Sequence, residues 1–212
     1  MPTNIVFDFG AVLFTWQPEL LVQSHFPLQA ATPAAARQLA NAIFHHEDWQ
    51  SFDRGTLELP LVVERTAERL RLQRACVQGL ISGIAENLAP IADTVELLER
   101  LHRRRTTHSD IRLYFLSNMP EPYARVLEQR HAFLEWFDGG MFSGDVKLLK
   151  PQPEIYQLLE TRFSLDPAKT MFVDDLLANV EAARARGWRG VQFESAVQLH
   201  PHLQSHLESH PA

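Results

Sequence analysis

After Pro90 the chain repeats one pattern: a short apolar run, an abrupt polar ending, then a stretch with helical periodicity. Ile111–Leu116 closes on Ser117-Asn118, a shorter piece at Met141-Phe142 leads to Gly144 and Lys150, Thr170–Val173 closes on Asp174-Asp175, and Gly190–Phe193 is the last run. The N-terminal run Ile5-Val6-Phe7 has the same character and stops at Asp8. Runs of this length, apolar at most positions, read as strands of a buried sheet, and their alternation with helices specifies an α/β fold, a doubly wound parallel sheet of Rossmann type. In such a sheet the carboxyl ends of the strands share one edge, and ligands bind in the crevice beyond it.

From Trp16 to about Ala89 the pattern is different. Helical spacing dominates and Pro18, Pro27, Pro33 and Pro60 punctuate it. Thr32-Pro33 followed by an alanine-rich run is a helix start, and Leu61, Glu64, Arg65, Glu68, Arg69 and Leu72 fall at helical intervals. So long a stretch is not a structureless loop. The expected organisation is an α/β core from residues 1–15 and 90–212, with an all-helical domain over 16–89 inserted after the first strand. Asp93 or Thr94 is the expected cap of the next helix, whose Arg103-Arg104-Arg105 end meets the negative pole of the helix dipole.

Composition narrows the partners. At 212 residues the chain can bury a substantial core, and 45% hydrophobic with 22% charged residues is ordinary for a globular protein. A formal charge of −6 excludes a polyanion channel, so no nucleic acid is expected. No run approaches a membrane span or a signal segment, and the single Cys76 suits a reducing, cytoplasmic setting. Oligomeric state leaves no trace in the pattern. His200, His202, His206 and His210 near the C-terminus are expected to lie on an exposed, half-protonated surface rather than around a metal.

The polar strand ends form a chemical set. Asp8, Asp174 and Asp175 are hard-oxygen ligands suited to Mg²⁺, while Ser117, Asn118 and Lys150 are donors matched to phosphoryl oxygens. Together they outline a phosphoryl-transfer site. Asp8-Phe9-Gly10 is not the metal triplet of a protein kinase, because no glycine-rich loop or His-Arg-Asp segment accompanies it.

Four segments, in order, resemble the motifs of the haloacid dehalogenase-like hydrolases. They are Asp8-Phe9-Gly10-Ala11-Val12-Leu13, Phe115-Leu116-Ser117-Asn118, Lys150-Pro151-Gln152-Pro153-Glu154-Ile155-Tyr156, and Phe172-Val173-Asp174-Asp175 with Asn179. Trp49-Gln50-Ser51-Phe52-Asp53-Arg54-Gly55-Thr56 is similar to helical caps of a subgroup that includes bacterial sugar-phosphate phosphatases. The resemblance implies that Asp8 is a nucleophile forming an aspartyl-phosphate, that Ser117 and Asn118 hold the phosphoryl group, and that Lys150 balances charge. It also implies that Mg²⁺ binds through Asp8, the Gly10 carbonyl and Asp175, helped by Asp174, with Asn179 steadying that loop. The implied activity is a phosphatase acting on a small phosphorylated metabolite, such as a sugar 1-phosphate. The alternatives are a metal-free 2-haloacid dehalogenase using the same Asp8, and a non-catalytic binding protein.

Gly10 departs from the family pattern. Phosphatases of this kind usually carry a second Asp there, which protonates the leaving group; its loss is a factor of about 10²–10⁴ in rate. Either the substrate leaves easily, or an inserted-segment residue such as His45, His46, Glu47 or Asp48 replaces it. A solvated helix end is the simpler reading of that cluster.

Overall fold

The computed structural model describes residues 2–107 and 111–209. Strand β1 (Thr3–Phe7) leads into five consecutive helices, α1 (Pro18–His25), α2 (Pro33–Phe44), α3 (Glu47–Asp53), α4 (Leu59–Leu70) and α5 (Arg74–Asn87). Helix α6 (Ala92–Thr107) then opens an alternating series: β2 (Ile111–Ser117), α7 (Glu121–Arg130), β3 (Gly139–Phe142), α8 (Ser143–Val146), α9 (Pro153–Phe163), β4 (Thr170–Asp174), α10 (Leu177–Ala185), β5 (Arg189–Gln192) and α11 (Ala196–Glu208). Among the described residues no strand falls between Pro18 and Asn87.

All four strand pairings are parallel, in the order β3-β2-β1-β4-β5. The chain steps outward from β1 to β3 and then crosses back to β4 on the other side. The strand order therefore reverses between β1 and β4, which is where a parallel sheet opens a crevice at its carboxyl edge. Phe7 is level with Phe115 on one neighbour and Val173 on the other. Asp8 follows directly, its N–H bonded to the Val173 carbonyl at 2.9 Å. Side chains alternate faces along a strand. Ile5 and Phe7 thus join one apolar cluster, with α6, α7, α11 and the five early helices, while Val6 joins a second with α9, α10 and Trp188.

The early helices leave and re-enter at one place. Thr15 N–H donates to the Ala89 carbonyl and Ile91 N–H to the Leu13 carbonyl, both at 2.8 Å, with an antiparallel bridge between Phe14 and Pro90. Thr32 caps α2, accepting from Ala35 N–H at 3.2 Å.

Some expectations need correction. Helix α6 begins at Ala92, so Asp93 lies in its first turn and Thr94 is wholly buried; neither caps it. The first turn is held instead from Ile91, whose carbonyl accepts from the N–H groups of Thr94 at 3.1 Å and Val95 at 3.0 Å. His206 is not surface: helix α11 turns it inward with Leu199 and Leu203, while His200 is exposed and His210 lies outside the described residues. Among the described residues no helix is long and apolar enough to cross a membrane.

Candidate active site

Strand β1 ends one residue before Asp8, and the chain then folds back tightly: the Phe9 carbonyl accepts from the N–H groups of Leu13 at 2.9 Å and Phe14 at 2.8 Å. Alternation sends Phe9 into an aromatic cluster with Phe115 and Phe142, at centroid separations of 5.0 and 5.2 Å. Asp8 points the opposite way, towards the carboxyl edge. Anchoring Phe9 fixes Asp8.

Across the switch point, Lys150 joins the two strand ends. Its Nζ lies 2.8 Å from Asp8 Oδ1 and 2.7 Å from Asp174 Oδ2. All three residues are buried. Burial alone would depress the Lys150 ammonium, but Asp174 and Asp8 outweigh it and hold the group above the ordinary lysine value. Asp8 is pushed up to about 7 by burial, against the pull of Lys150, and Asp175 to about 6 by burial and the neighbouring Asp174. The lysine backbone is clamped as well. Asn118 Oδ1 accepts from Lys150 N–H at 2.9 Å and Asn118 Nδ2 donates to the Lys150 carbonyl at 3.0 Å.

Asp174 is saturated by protein donors. Oδ1 accepts from Leu176 N–H at 2.9 Å and Asn179 Nδ2 at 3.0 Å, and Oδ2 takes the lysine. Asn179 is held in turn by Tyr156, whose hydroxyl donates to its carbonyl at 3.0 Å. Asp8 Oδ1, in contrast, is buried with no well-formed hydrogen bond, only the ammonium beside it.

Oxygens of Asp8, Asp174 and Asp175 lie within 4.8 Å of one another. Octahedral Mg²⁺ with oxygens at about 2.1 Å spans a similar width. The donors are all hard oxygens, the carboxylates outnumber the one lysine, and one buried oxygen lacks a full partner; this set fits Mg²⁺. Because Asp174 is committed to Asn179, Leu176 and Lys150, the ligands best placed for a metal are Asp8 and Asp175, with Gly10 lining the same space.

These groups form the floor of a cavity of about 490 Å³ that also admits Ser117 and Asn118. Its walls come largely from the early helices and their neighbours: Trp16, Phe44, Trp49, Ile84, Leu88 and Tyr123. Phe44 and Trp49 meet edge to face at 4.7 Å, and Trp16 meets Phe44 at 5.1 Å. The floor is charged, and the walls combine this aromatic and aliphatic face with polar Asn41, His45, Gln50 and Arg54.

Every site residue read from the sequence is near this floor, although Asn118 spends its amide oxygen and one amide hydrogen on Lys150 rather than keeping the whole group for a ligand. The His45–Asp48 cluster behaves differently from a solvated end. Asp48 is buried and paired with Arg65 at 3.1 Å, His46 caps α3 by accepting from Asp48 N–H, and only His45 of the four lines the cavity. Sequence reasoning missed the aromatic walls and Asp53, which also lines the cavity. Periodicity marks such residues as buried but does not say against what.

The profile of the haloacid dehalogenase-like hydrolases matches residues 5–187. The chain is 28% identical to the sesquiterpene phosphatase astK of Aspergillus oryzae over 91% of its own length and 90% of that protein's. It is 26% identical to the drimenol cyclase drtB of Aspergillus calidoustus, over 96% of this chain but 36% of the other. Among solved structures, a HAD family enzyme, bt-2542, from Bacteroides thetaiotaomicron in complex with magnesium and inorganic phosphate superposes with a TM-score of 0.71 at 16% identity, covering 94% of this chain and 99% of that one. The switch-point crevice, the order of the motif residues around it and the match over most of the sequence have one reading: the chain belongs to the haloacid dehalogenase-like hydrolases.

Proposed function

We propose that this hydrolase is a Mg²⁺-dependent phosphomonoesterase working through an aspartyl-phosphate on Asp8, and that the organic part of its substrate is apolar. The observation that carries this reading is the contrast within one cavity, a Lys150-bridged carboxylate floor under aromatic walls. Bound at Asp8, Asp175 and the Gly10 carbonyl, with Asp174 beside it, Mg²⁺ would supply positive charge that lets a phosphate dianion approach the carboxylates. Asp8 provides the attacking oxygen. Lys150 keeps it ionised and aimed, and Ser117, Asn118 and Lys150 donate to the phosphoryl oxygens as charge spreads over them. Asn179 holds Asp174, and so the loop bearing Asp175, in place.

We take residues 1–15 and 90–212 as the catalytic core and 16–89 as a cap that supplies the walls. Each sugar hydroxyl that meets Trp16, Phe44, Trp49 or Leu88 would be left unpaired, a cost of about 1–3 kcal/mol for each such group. An isoprenoid or other hydrocarbon tail has no such penalty. The relative named as a sesquiterpene phosphatase, which matches nearly end to end, supports the same choice.

The test is phosphate release from a panel containing isoprenoid alkyl phosphates, aryl phosphates and sugar 1-phosphates, with Mg²⁺ or with chelator, and with Asp8→Asn as the control. A higher kcat/KM on the alkyl phosphates, lost with chelator and with Asp8→Asn, is the expected result. Preference for sugar 1-phosphates would overturn the substrate class. Halide release from 2-haloacids undiminished by chelator would replace the phosphatase with a dehalogenase.

A further inference from the structure

Gly10 leaves the core without a proton donor for the departing alkoxide, yet an apolar alcohol is a poor leaving group that needs one. The structure holds a carboxyl in the same cavity that none of the four motifs contains. Asp53, the last residue of α3, lines the space shared by Asp8, Gly10, Ser117 and Lys150.

Its position is set from both sides. The Ser143 hydroxyl at the start of α8 donates to the Asp53 carbonyl and accepts from Met119 N–H at 2.8 Å, which ties Asp53 to the loop bearing Ser117 and Asn118. Two residues on, the Gly55 carbonyl accepts from Lys147 Nζ at 2.8 Å, and the same ammonium reaches the Gly144 carbonyl at 2.7 Å. The Trp49 side chain, one helical turn back, and the charges of Lys150 and Asp8 are close enough to act on the Asp53 carboxyl. The other titratable or charged groups around it are Tyr123, whose phenol feels Asp53, and His45, Arg54 and Asp175 on the cavity wall.

We propose that Asp53 is the catalytic acid and base of this site, the inserted helices supplying the proton that Gly10 does not. This rests on the phosphatase reading above. In the first step Asp8 forms its bond to phosphorus, the ester P–O bond breaks, and the Asp53 proton passes to the leaving oxygen. In the second, water attacks the aspartyl-phosphate, its proton passes to the Asp53 carboxylate, and Asp8 and inorganic phosphate are released. Burial raises the Asp53 carboxyl well above the usual range, the direction that favours the protonated acid.

The experiment compares Asp53→Asn with the parent enzyme in Mg²⁺ on an alkyl phosphate and on 4-nitrophenyl phosphate, with circular dichroism to verify folding. Alkyl phosphate kcat/KM is expected to fall by about 10²–10⁴. The first step on the nitrophenyl ester should be nearly unchanged and should give a burst of nitrophenolate, because only the second step has lost its base. The alkaline limb of the pH profile should disappear with the carboxyl. Equal losses on both esters with no burst would assign Asp53 a structural role and overturn the proposal. Gly10→Asp is the second variant: a Cβ there meets nothing closer than Trp16 Cβ at 4.0 Å, so the backbone accepts a side chain at this position. In the Asp53→Asn background it should restore the alkyl rate, whereas in the parent it should raise it less than about threefold, since a donor is already present. A gain of about 10² or more in the parent would show that the parent site has no acid. If the parent releases no phosphate, or Asp8→Asn keeps its activity, it is the phosphatase reading itself that fails.

Discussion

With Nζ 2.7 Å from Asp174 and 2.8 Å from Asp8, the Lys150 ammonium is the countercharge that lets two carboxylates stay buried beside each other. Removing it leaves two largely buried carboxylates without compensation. Lys150→Ala is therefore expected to lower unfolding free energy by about 3–5 kcal/mol, read from urea titration at pH 8. The loss should be smaller at pH 5, where Asp8, titrating near 7, takes up a proton instead. An equal loss at both values would show that Asp8 is not the partner that matters. Asn118 works at one remove, since its amide grips both backbone groups of Lys150. Asn118→Ala should cost about 1–3 kcal/mol and lower kcat, because the ammonium is then free to drift from Asp8. A variant of unchanged stability and rate would sink that positioning role.

At the scale of elements, the decisive join is between the turn that follows α3 and helix α8. Gly55 has φ +71°, and a Cβ there would lie 2.6 Å from the Gly144 carbonyl oxygen and 2.5 Å from Lys147 Nζ. The lysine can swing away, but the backbone oxygen cannot. Gly55→Ala is expected to destabilise by about 1–3 kcal/mol through the left-handed backbone and the contact together, and to lower kcat/KM more than a remote surface substitution does. Thermal unfolding and steady-state kinetics on the same variant check both; an unchanged midpoint would mean the turn does not dock on α8. Periodicity and capping residues made most elements legible. Thr32-Pro33 starts α2, the run before Asp8 is β1, and the run before Asp174 is β4. Helix α6 was less legible at its start, because Asp93 and Thr94 have the composition of a cap while the helix begins ahead of them, at Ala92.

For the whole molecule, the concentration of acid at one sheet edge couples stability to pH and metal. Asp8 and Asp175 have folded values of about 7 and 6, above their ordinary 3.8. A raised carboxyl contributes stability below its unfolded value and loses it as pH rises through the folded one. Metal-free protein should accordingly lose stability from these two groups between about pH 4 and pH 7. On the proposed metal site, Mg²⁺ would reverse the penalty by binding the ionised forms, so its thermal shift should be larger at pH 8 than at pH 5. At a hundredfold excess over Kd it amounts to about 2.7 kcal/mol, or roughly 5–10 °C for a chain of this size. Scanning calorimetry at both pH values measures it, and a shift independent of pH would speak against these carboxylates as the ligands. The sequence by itself determined the parallel α/β order, the helical character of residues 16–89 and the polar groups at the strand ends, because burial within one element leaves a period that can be read locally. Only the tertiary structure decided that Asn118 clamps Lys150, that His206 turns inward, and that Asp53 shares an aromatic-walled cavity with Asp8. Those contacts join residues from distant parts of the chain or depend on the face a neighbouring helix covers, and packing alone brings them together.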